Sequence, residues 1–241
     1  MVTAPIGIIG AMDSEVALLK ENMQDLRVEK HAGSEFFCGT LRGVPVVVEK
    51  CGIGKVCAAM GTQAMIDHFD VCCVINTGVA GGLAKGLNVG DLVVSSDVVQ
   101  HDYDLTAFGY AKGYLADVGT DKTCATRILA DATMKECFRK AAEKTLTDTA
   151  WIEGTIVSGD VFVNSSELKN TLIEQFQASA AEMEGAAVGE VAYLNGKPFL
   201  VIRALSDLAD QEATVSYEEF EKKAARVSAG LVMEMCELLN A

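Results

Sequence analysis

Residues 71–75 read Val-Cys-Cys-Val-Ile, an apolar run without alternation that ends at the polar pair Asn76-Thr77. Similar runs occupy residues 6–9 and 199–205. A strand with one face in water alternates apolar and polar residues, whereas a strand covered on both faces does not. These runs therefore predict central strands buried on both faces, which requires a layer of helices on each side of a sheet.

Amphipathic helical segments alternate with these strands along the chain. We predict helices over residues 13–23, 55–69, 122–145, 165–176, 185–194 and about 216–239, and further strands over residues 34–41, 44–50, 92–99, 152–157 and 179–182. The turn at Arg42-Gly43 predicts that the strands on either side of it pair as a hairpin. The pattern predicts a single α/β domain over residues 1–241, with a central mixed, largely parallel twisted sheet flanked by helices.

The chain carries a formal net charge of −14. A surface of this sign repels phosphate backbones and anionic lipids, so we expect neither nucleic acid nor a membrane as a partner. No apolar stretch approaches the roughly 20 residues that span a bilayer. The first apolar run has no basic segment before it and meets Asp13 at once, unlike a signal peptide. We therefore expect a cytoplasmic protein that binds a small neutral or zwitterionic molecule.

The eight cysteines and three histidines show no spacing typical of a metal site. No C-x-x-C pair occurs, and the adjacent Cys72 and Cys73 suit neither zinc nor an easily formed disulfide. His31, His68 and His101 are far apart in the sequence. We expect buried, reduced thiols, and we expect neither a metal nor any other cofactor.

Acidic residues recur where the predicted strands end. Glu15 follows the first strand, and Asp207 follows the strand that begins at residue 199. Glu182 and Glu184 lie at the end of a short Ala-rich strand. Ligands of α/β sheets bind beyond the carboxyl ends of the strands, so these side chains are candidates for one site. Composition alone favours a plainer interpretation, in which Glu182 and Glu184 complement a helix dipole and Asp207 caps a turn.

Ordered sequence blocks along nearly the whole chain match one known family. The blocks are Gly7-Ile8-Ile9-Gly10-Ala11-Met12, Gly52-Ile53-Gly54-Lys55-Val56, Asn76-Thr77-Gly78 with Ala80-Gly81-Gly82, His101-Asp102 with Thr106-Ala107-Phe108-Gly109-Tyr110, Val157-Ser158-Gly159-Asp160, Glu182-Met183-Glu184, and Arg203-Ala204 with Ser206-Asp207. The chain resembles the 5′-methylthioadenosine/S-adenosylhomocysteine nucleosidases of the purine nucleoside phosphorylase superfamily. The resemblance implies a phosphorylase/hydrolase-like fold and hydrolysis of the N-glycosidic bond between adenine and a 5-substituted ribose.

The resemblance implies catalytic roles for four residues. Asp207 resembles the general acid that protonates N7 of adenine, which lets the base leave as a neutral molecule. Glu184 resembles the residue that grips the ribose hydroxyls while the sugar becomes oxocarbenium-like. Glu15 resembles the general base that activates water, and Arg203 is expected to orient that water or Glu15.

The resemblance also implies the walls of a nucleoside pocket. Phe162 resembles the ring that stacks on adenine, and Val163 resembles the residue whose backbone reads the edge of the base. Leu105 and Phe108 resemble residues that the other subunit of a homodimer contributes to the pocket. The remaining binding residues that the resemblance implies are Met12, Val79 and Ser206, Glu182 and Met183 beside the sugar, and Ile53 and Tyr217 at the alkylthio tail.

Three places depart from the family pattern, and one of them is the pair Asp13-Ser14, which replaces a more acidic pair before Glu15. Val79 stands where the family often has Ser near the water and the ribose, and Tyr217 stands where it often has Phe. The change at Val79 bears on how the water is positioned or which substrate is preferred. The change at Tyr217 bears on the polarity of the tail pocket.

Three other functions remain open on the sequence. A phosphate-dependent nucleoside phosphorylase is disfavoured because Glu15 would repel phosphate and no Arg follows the first strand. A futalosine-type nucleosidase, or turnover of 5′-deoxyadenosine, is poorly separated by sequence alone. A nucleoside-binding module without turnover is disfavoured because Glu15, Glu184 and Asp207 are all present.

Overall fold

Strands and helices alternate along the chain in nearly the predicted order. The computed structural model describes residues 4–147, 149–210 and 213–240, without the side chains of residues 215, 216 and 219. The strands are β1 (Ile6–Gly10), β2 (Gln24–His31), β3 (Ser34–Leu41), β4 (Val44–Lys50), β5 (Cys73–Gly82), β6 (Leu92–Gln100), β7 (Ile128–Leu129), β8 (Trp151–Ser158), β9 (Ala178–Glu182) and β10 (Phe199–Asp207). The helices are α1 (Asp13–Asn22), α2 (Lys55–Phe69), α3 (Ala132–Thr145), α4 (Ser166–Phe176), α5 (Gly185–Leu194) and α6 (Ala213–Leu239), with a short 3₁₀ helix at Thr106–Phe108.

The strands join into one mixed sheet with β5 at its centre. β1 lies between β4 and β5 and runs parallel to both. β5 also pairs with β10 in parallel and with β9 in antiparallel orientation. Because β10 continues to β6, β6 to β8 and β8 to β9, five strands close into a ring. The predicted α/β fold with a mixed sheet flanked by helices is confirmed, although the apolar runs do not predict this closure.

The central strands are buried on both faces, as their apolar runs predict. All five residues of β1 and all nine residues of β10 are buried. On one side, α6 packs against β5 and β10 together with α1 and α3, and on the other side α2 packs against α5. The sheet is therefore held rigidly where the ends of its strands carry polar side chains.

Three segments differ from the predicted elements, and the first is the central strand, which does not end at Asn76-Thr77 but continues to Gly82. The hairpin of β3 and β4 has the predicted bounds, but it extends into β2, an edge strand whose residues are mostly exposed and lack alternation. The helix predicted over residues 122–145 begins only at Ala132. Asp131 caps that helix by accepting from the amide of Met134 at 2.9 Å, and the residues before it form a loop and the short β7.

The cysteines are less uniformly buried than predicted. All eight are free, and five are buried, but Cys72 and Cys124 are exposed and Cys57 is intermediate. The prediction of buried thiols is therefore wrong for these three. Cys72 lies at a bend just before the buried strand begins at Cys73. None of the described helices combines the length and the apolar character needed to cross a bilayer.

Candidate active site

The strand ends that carry acidic residues meet at one edge of the sheet. β1 leads directly into α1, whose first turn holds Glu15. β9 ends at Glu182, and α5 begins directly after Glu184. Because β1, β5 and β10 run parallel and side by side, their carboxyl ends lie together, and Asp207 ends the last of them. Side chains that are far apart in the sequence therefore converge.

A cavity of about 510 Å³ opens at this edge, within the size range of small-molecule sites. Its walls contain eleven of the predicted site residues, which are Met12, Glu15, Ile53, Val79, Phe162, Glu182, Met183, Glu184, Ser206, Asp207 and Tyr217. They also contain residues that are not among the predicted site residues, which are Ala11, Ala80, Gly81, Ala181, Thr214 and Glu218. Most of these are small residues that give the cavity its space and therefore leave no chemical signal in the sequence.

Four predicted site residues do not line this cavity. Arg203 lies behind the carboxylates, and Val163 is buried in a separate apolar cluster. Leu105 and Phe108 belong to the segment around the 3₁₀ helix, where Phe108 is 77% exposed. Neither residue contributes to the cavity of its own chain.

Glu15 is almost fully buried and accepts three backbone hydrogen bonds. Its Oε2 accepts from the amides of Ala11 and Met12 at 2.6 and 3.0 Å, and its Oε1 accepts from the amide of Val79 at 3.0 Å. Burial raises the pKa of Glu15, and the Arg203 guanidinium, 3.8 Å from Oε1, opposes that rise. Each carboxylate oxygen has two lone pairs, so Oε1 keeps one that can accept from a water molecule.

Arg203 is the positive centre beneath the cavity. Its side chain is 1% exposed, and its Nη2 donates to Glu182 and to Oδ1 of Asn76. Burial acts to lower the pKa of Arg203, but the surrounding carboxylates outweigh burial and raise that pKa. A Cβ at Gly78 would lie 2.2 Å from Nη1 of Arg203 and 2.3 Å from Oε1 of Glu15. Only glycine therefore fits at this point of β5.

Glu184 bridges the start of α2 and the buried guanidinium. Its Oε1 accepts from the amide of Gly54 at 2.8 Å, and its Oε2 lies 3.4 Å from Nη2 of Arg203. Burial raises the pKa of Glu184 to about 7, with Arg203 opposing the rise and Glu182 adding to it. Glu182 is itself fixed by the amide of Gly185, which donates to its two oxygens at 3.0 and 2.8 Å.

Asp207 reaches the cavity at a break in the strand register. The pairing of β10 with β5 shifts between Leu205 and Asp207, and such bulges often re-aim side chains next to active sites. Oδ2 accepts from the hydroxyl of Ser206 at 2.9 Å, and Oδ1 accepts from the amide of Ala209 at 2.8 Å. Burial raises the pKa of Asp207, while these two donors oppose the rise. The result is a fixed carboxyl group that keeps its proton to higher pH than an exposed one.

We call Glu15, Glu182, Glu184, Arg203 and Asp207 the floor of the cavity. Its polar groups combine a buried acid, several carboxylates and one guanidinium around a single space. An acid can protonate a leaving group, while carboxylates stabilise a cation that develops on the other side of the breaking bond. In the part of the chain that the structure describes, no three His, Cys, Asp or Glu side chains are grouped so as to hold a metal ion.

We call Met12, Ile53, Phe162 and Tyr217 the outer wall. The hydroxyl of Tyr217 donates to Sδ of Met12 at 3.0 Å, and the Tyr217 ring meets Phe162 edge to face with 5.7 Å between ring centroids. Ile53 is 57% exposed and Phe162 is 40% exposed. The outer wall thus offers aromatic and aliphatic surface to a flat or apolar group of a ligand.

Comparison with known proteins decides which family has this arrangement. The model of the phosphorylase superfamily matches residues 5–237. A 5′-methylthioadenosine/S-adenosylhomocysteine nucleosidase from Geobacillus kaustophilus is 45% identical over 234 residues, which cover 97% of both chains. The chain belongs to this nucleosidase family. The family resemblance that the sequence blocks predict is therefore confirmed.

Solved structures agree with this membership in the nucleosidase family. The Neisseria meningitidis nucleosidase in complex with methylthio-immucillin-A is 40% identical, with a TM-score of 0.90 over 97% of this chain and 98% of that one. The Colwellia psychrerythraea nucleosidase in complex with adenine is also 40% identical, with a TM-score of 0.91 over 98% and 95% of the two chains. A futalosine hydrolase from Helicobacter pylori is 36% identical, with a TM-score of 0.89 over 97% of each chain. The nucleosidase fold is thus shared with a related hydrolase.

Proposed function

We propose that this nucleosidase hydrolyses the N-glycosidic bond of 5′-methylthioadenosine and S-adenosylhomocysteine, releasing adenine and the 5-substituted ribose. The observation that carries the proposal is the convergence of Glu15, Glu184 and Asp207 on one cavity that also has an apolar outer wall. 5′-Deoxyadenosine is a further substrate in this proposal, because an aliphatic and aromatic wall makes few demands on the 5′ substituent.

Asp207 acts as the general acid. Adenine is a poor leaving group as an anion, and a proton on N7 lets it leave as a neutral base. Burial raises the pKa of Asp207, so the proton is retained for this transfer. The hydrogen bonds from Ser206 and Ala209 fix the carboxyl group, and a positioned acid of this kind contributes about 10²–10⁴-fold to a rate.

Glu184 holds the ribose through its hydroxyls. A carboxylate accepts from two neighbouring hydroxyls, and the attraction strengthens as the sugar becomes oxocarbenium-like. Burial strengthens this attraction because water is excluded from the floor. Met183 packs against the sugar, and Glu182 supports the ribose side by holding Arg203 in place.

Glu15 activates the attacking water. The amides of Ala11 and Met12 hold Oε2, so the carboxylate is anchored while the second lone pair of Oε1 accepts from water. Arg203 stabilises Glu15 as the anion that a base must be. Val79 carries no hydroxyl, so the water is oriented by Glu15 and by backbone groups around it.

The outer wall takes the base and the 5′ tail. Phe162 stacks on adenine, and the backbone of Val163, the next residue, reads the edge of the base. Ile53, Met12 and Tyr217 surround the alkylthio tail, in keeping with their apolar surface in the cavity.

Two copies of the chain complete each other's cavities. Phe108 is 77% exposed and does not line its own cavity, so its ring is free to contact a second copy of the chain. Val56 and Met60 on α2 add exposed apolar surface at 78% and 42%. Leu105 and Phe108 therefore close the tail pocket of the partner in a homodimer. Residues 1–241 act as a single nucleosidase domain, and the eight free thiols suit the reducing cytoplasm.

A phosphorylase reaction fits this floor poorly. Bound phosphate needs Arg, Lys or a cradle of amides. Among the described residues that line the cavity there is no Lys, Arg or His, and Arg203 behind them is already bound to Glu182. Glu15, Glu184 and Asp207 would repel a phosphate dianion from the same space. Water is therefore the nucleophile.

An adenine-release assay tests the function. The substrates are 5′-methylthioadenosine, S-adenosylhomocysteine, 5′-deoxyadenosine, futalosine and inosine, each with and without phosphate. We expect fast, phosphate-independent release of adenine from the first three and little release of base from the last two. A strict need for phosphate would identify a phosphorylase, and preference for futalosine a futalosine hydrolase. Retention of labelled methylthioadenosine without release would identify a binding module.

A further inference from the structure

Three charged residues outside the cavity wall form a closed ring of hydrogen bonds, which we call the clip. Nζ of Lys55 donates to Oδ1 of Asp102 at 2.6 Å. The backbone amide of Asp160 donates to Oδ2 of Asp102 at 2.9 Å. The backbone amide of Lys55 donates to Oδ1 of Asp160 at 2.9 Å, which closes the ring. None of the three residues lines the cavity.

The clip supplies the N-terminal cap that α2 lacks. The residue at the capping position is Gly54, which has no side chain and a φ of +99°. The first amides of a helix need acceptors, and a carboxylate there is favoured by the helix dipole. Asp160, from the loop after β8, accepts from the amide of Lys55 in place of a local cap. A Cβ at Gly54 would come within 3.0 Å of Oδ1 of Asp160, so glycine makes room for this remote cap.

Consecutive amides at the start of α2 serve two sides of the cavity. The amide of Gly54 donates to Oε1 of Glu184, the proposed ribose carboxylate. The amide of Lys55 donates to Asp160, two residues before Phe162, the proposed adenine platform. One helix start therefore anchors both the sugar side and the base side. Misplacement of about 1 Å in such a site costs on the order of 10² in rate.

Asp102 and Lys55 make this anchor rigid. Burial acts to raise the pKa of Asp102, but Lys55 and the amide of Asp160 outweigh burial and lower that pKa. Asp102 therefore remains an anion at neutral pH. Nζ of Lys55 also donates to Oε1 of Gln100 at 3.0 Å, which ties α2 to the end of β6. Asp102 stands three residues before Leu105, so the same ring fixes the root of the segment offered to the partner subunit.

We propose that the clip is a positioning device that sets the distance between Glu184 and Phe162, with Asp160 as its principal positioning residue. It acts through the amides of Gly54 and Lys55 at the start of α2 and touches neither substrate nor reacting atoms. The inference rests on the proposed function for the roles of Glu184 and Phe162. The hydrogen bonds that form the clip stand independently of it.

Paired variants of Asp160 and Lys55 test the clip. Asp160→Ala removes the cap, whereas Asp160→Asn keeps an oxygen that can accept from the amide of Lys55. Lys55→Met removes the ammonium group, whereas Lys55→Arg keeps a charged donor. Lys197→Met is the matched control, because it breaks a lysine–aspartate pair of 2.9 Å on the surface, with Asp70. For each variant we measure kcat and KM with 5′-methylthioadenosine, the Kd of adenine and the unfolding midpoint.

We expect Asp160→Ala to lower kcat/KM about 10²-fold and to weaken adenine binding, in line with the cost of misplacing reacting groups. Asp160→Asn should regain at least about tenfold of the lost kcat/KM. Lys55→Met should lower kcat/KM about tenfold, and Lys55→Arg should regain most of that loss. Lys197→Met should stay within about twofold of the wild type, as expected for a surface pair.

Two outcomes would overturn the clip. In the first, both Asp160→Ala and Lys55→Met keep kcat/KM and the Kd of adenine within about twofold of the wild-type values. The other is an equal loss in the alanine and asparagine variants that follows the fall in unfolding midpoint, which would mean structural support alone. If Asp160→Ala does not fold, Lys55→Met and Lys55→Arg decide. Adenine affinity needs no turnover, so a wild type that releases no adenine would refute the proposed function while the variants still test the clip.

Discussion

The floor and the outer wall of the cavity are built in opposite ways. On the floor, Glu15 and Arg203 are each 1% exposed, and backbone amides or charged partners hold their side chains. On the outer wall, Ile53 and Phe162 are 57% and 40% exposed. Stabilising a transition state requires dipoles and charges fixed before the substrate arrives, whereas an apolar wall can be completed by the substrate or by a second copy. Loss of a floor residue should therefore reduce kcat, and loss of a wall residue should raise KM.

The largest effect is expected for Glu15→Gln. The Nε2 of glutamine donates hydrogen bonds and cannot accept from the backbone amides of Ala11, Met12 or Val79. The change therefore removes the proposed base and also places a donor against backbone amides that need an acceptor. We expect kcat to fall about 10⁴-fold, the upper end for a positioned base. The measurement is single-turnover adenine release at saturating 5′-methylthioadenosine. A loss below tenfold with an intact circular dichroism spectrum would remove Glu15 from the mechanism.

Asp207→Asn should have the next largest effect, about 10³-fold on kcat with adenine as the leaving group. Asparagine keeps the shape of the side chain but cannot protonate N7. The matched measurement uses the 4-nitrophenyl glycoside of 5-methylthioribose, whose 4-nitrophenolate leaving group departs without a proton. Wild type and Asp207→Asn should turn it over at similar rates. Equal losses on both substrates would mean that Asp207 positions the substrate and does not supply the proton.

The pH dependence separates the protonated and ionised members of the floor. Burial raises the pKa of Asp207, the proposed general acid, so kcat/KM should fall as pH rises through that pKa. Burial raises the pKa of Glu184 to about 7 and also raises the pKa of Glu15, and the proposed roles require both as anions. On the acidic side kcat/KM should therefore fall by about tenfold per pH unit or more below pH 7. Asp207→Asn should lose the basic limb alone, and a basic limb that persists would need another acid.

Part of the floor can be predicted from the sequence, because Glu15 and Asp207 each follow an apolar strand. The carboxyl ends of neighbouring parallel strands meet, so Glu15 and Asp207 can be placed together from strand assignment alone. Arg203 has a further signal, since a basic residue within an apolar strand must find anionic partners when it is buried. Their detailed roles came from the family resemblance, because acidic residues at helix starts are also common for the dipole.

The hydrogen bonds of the clip cannot be predicted from strand assignment. Asp160 accepts from a backbone amide that lies far from it in the sequence, and every residue type supplies such an amide. The exposed strand β2 has no buried face and hence no alternation, so the pattern gives no sign of it. For the helix predicted over residues 122–145, the sequence does contain a signal for the observed start of α3, because Asp131 is a typical N-cap residue. Backbone contacts and edge strands depend on tertiary structure that local pattern does not encode.

Phe108→Ala tests the dependence of the outer wall on a second copy. If Phe108 closes the partner's tail pocket, its loss should raise KM for 5′-methylthioadenosine about tenfold and leave kcat within about threefold, because burial of an aromatic ring is lost equally in ground and transition states. Leu129→Ala is the matched control, since Leu129 is 74% exposed on β7. An unchanged KM in Phe108→Ala would show that the wall is complete within one chain, and an equal rise in Leu129→Ala would show that the effect is not specific to Phe108.

Tyr217→Phe should have the smallest effect. The hydroxyl of Tyr217 donates to Sδ of Met12 at 3.0 Å, and a thioether sulfur is a weak acceptor. The ring that meets Phe162 edge to face is retained in phenylalanine, so the apolar contact with the tail survives. We expect KM for 5′-methylthioadenosine to change less than about threefold and kcat to remain as in the wild type. A loss of kcat of tenfold or more would mean that this hydroxyl acts with the floor, and the division between a catalytic floor and a binding wall would fail at Tyr217.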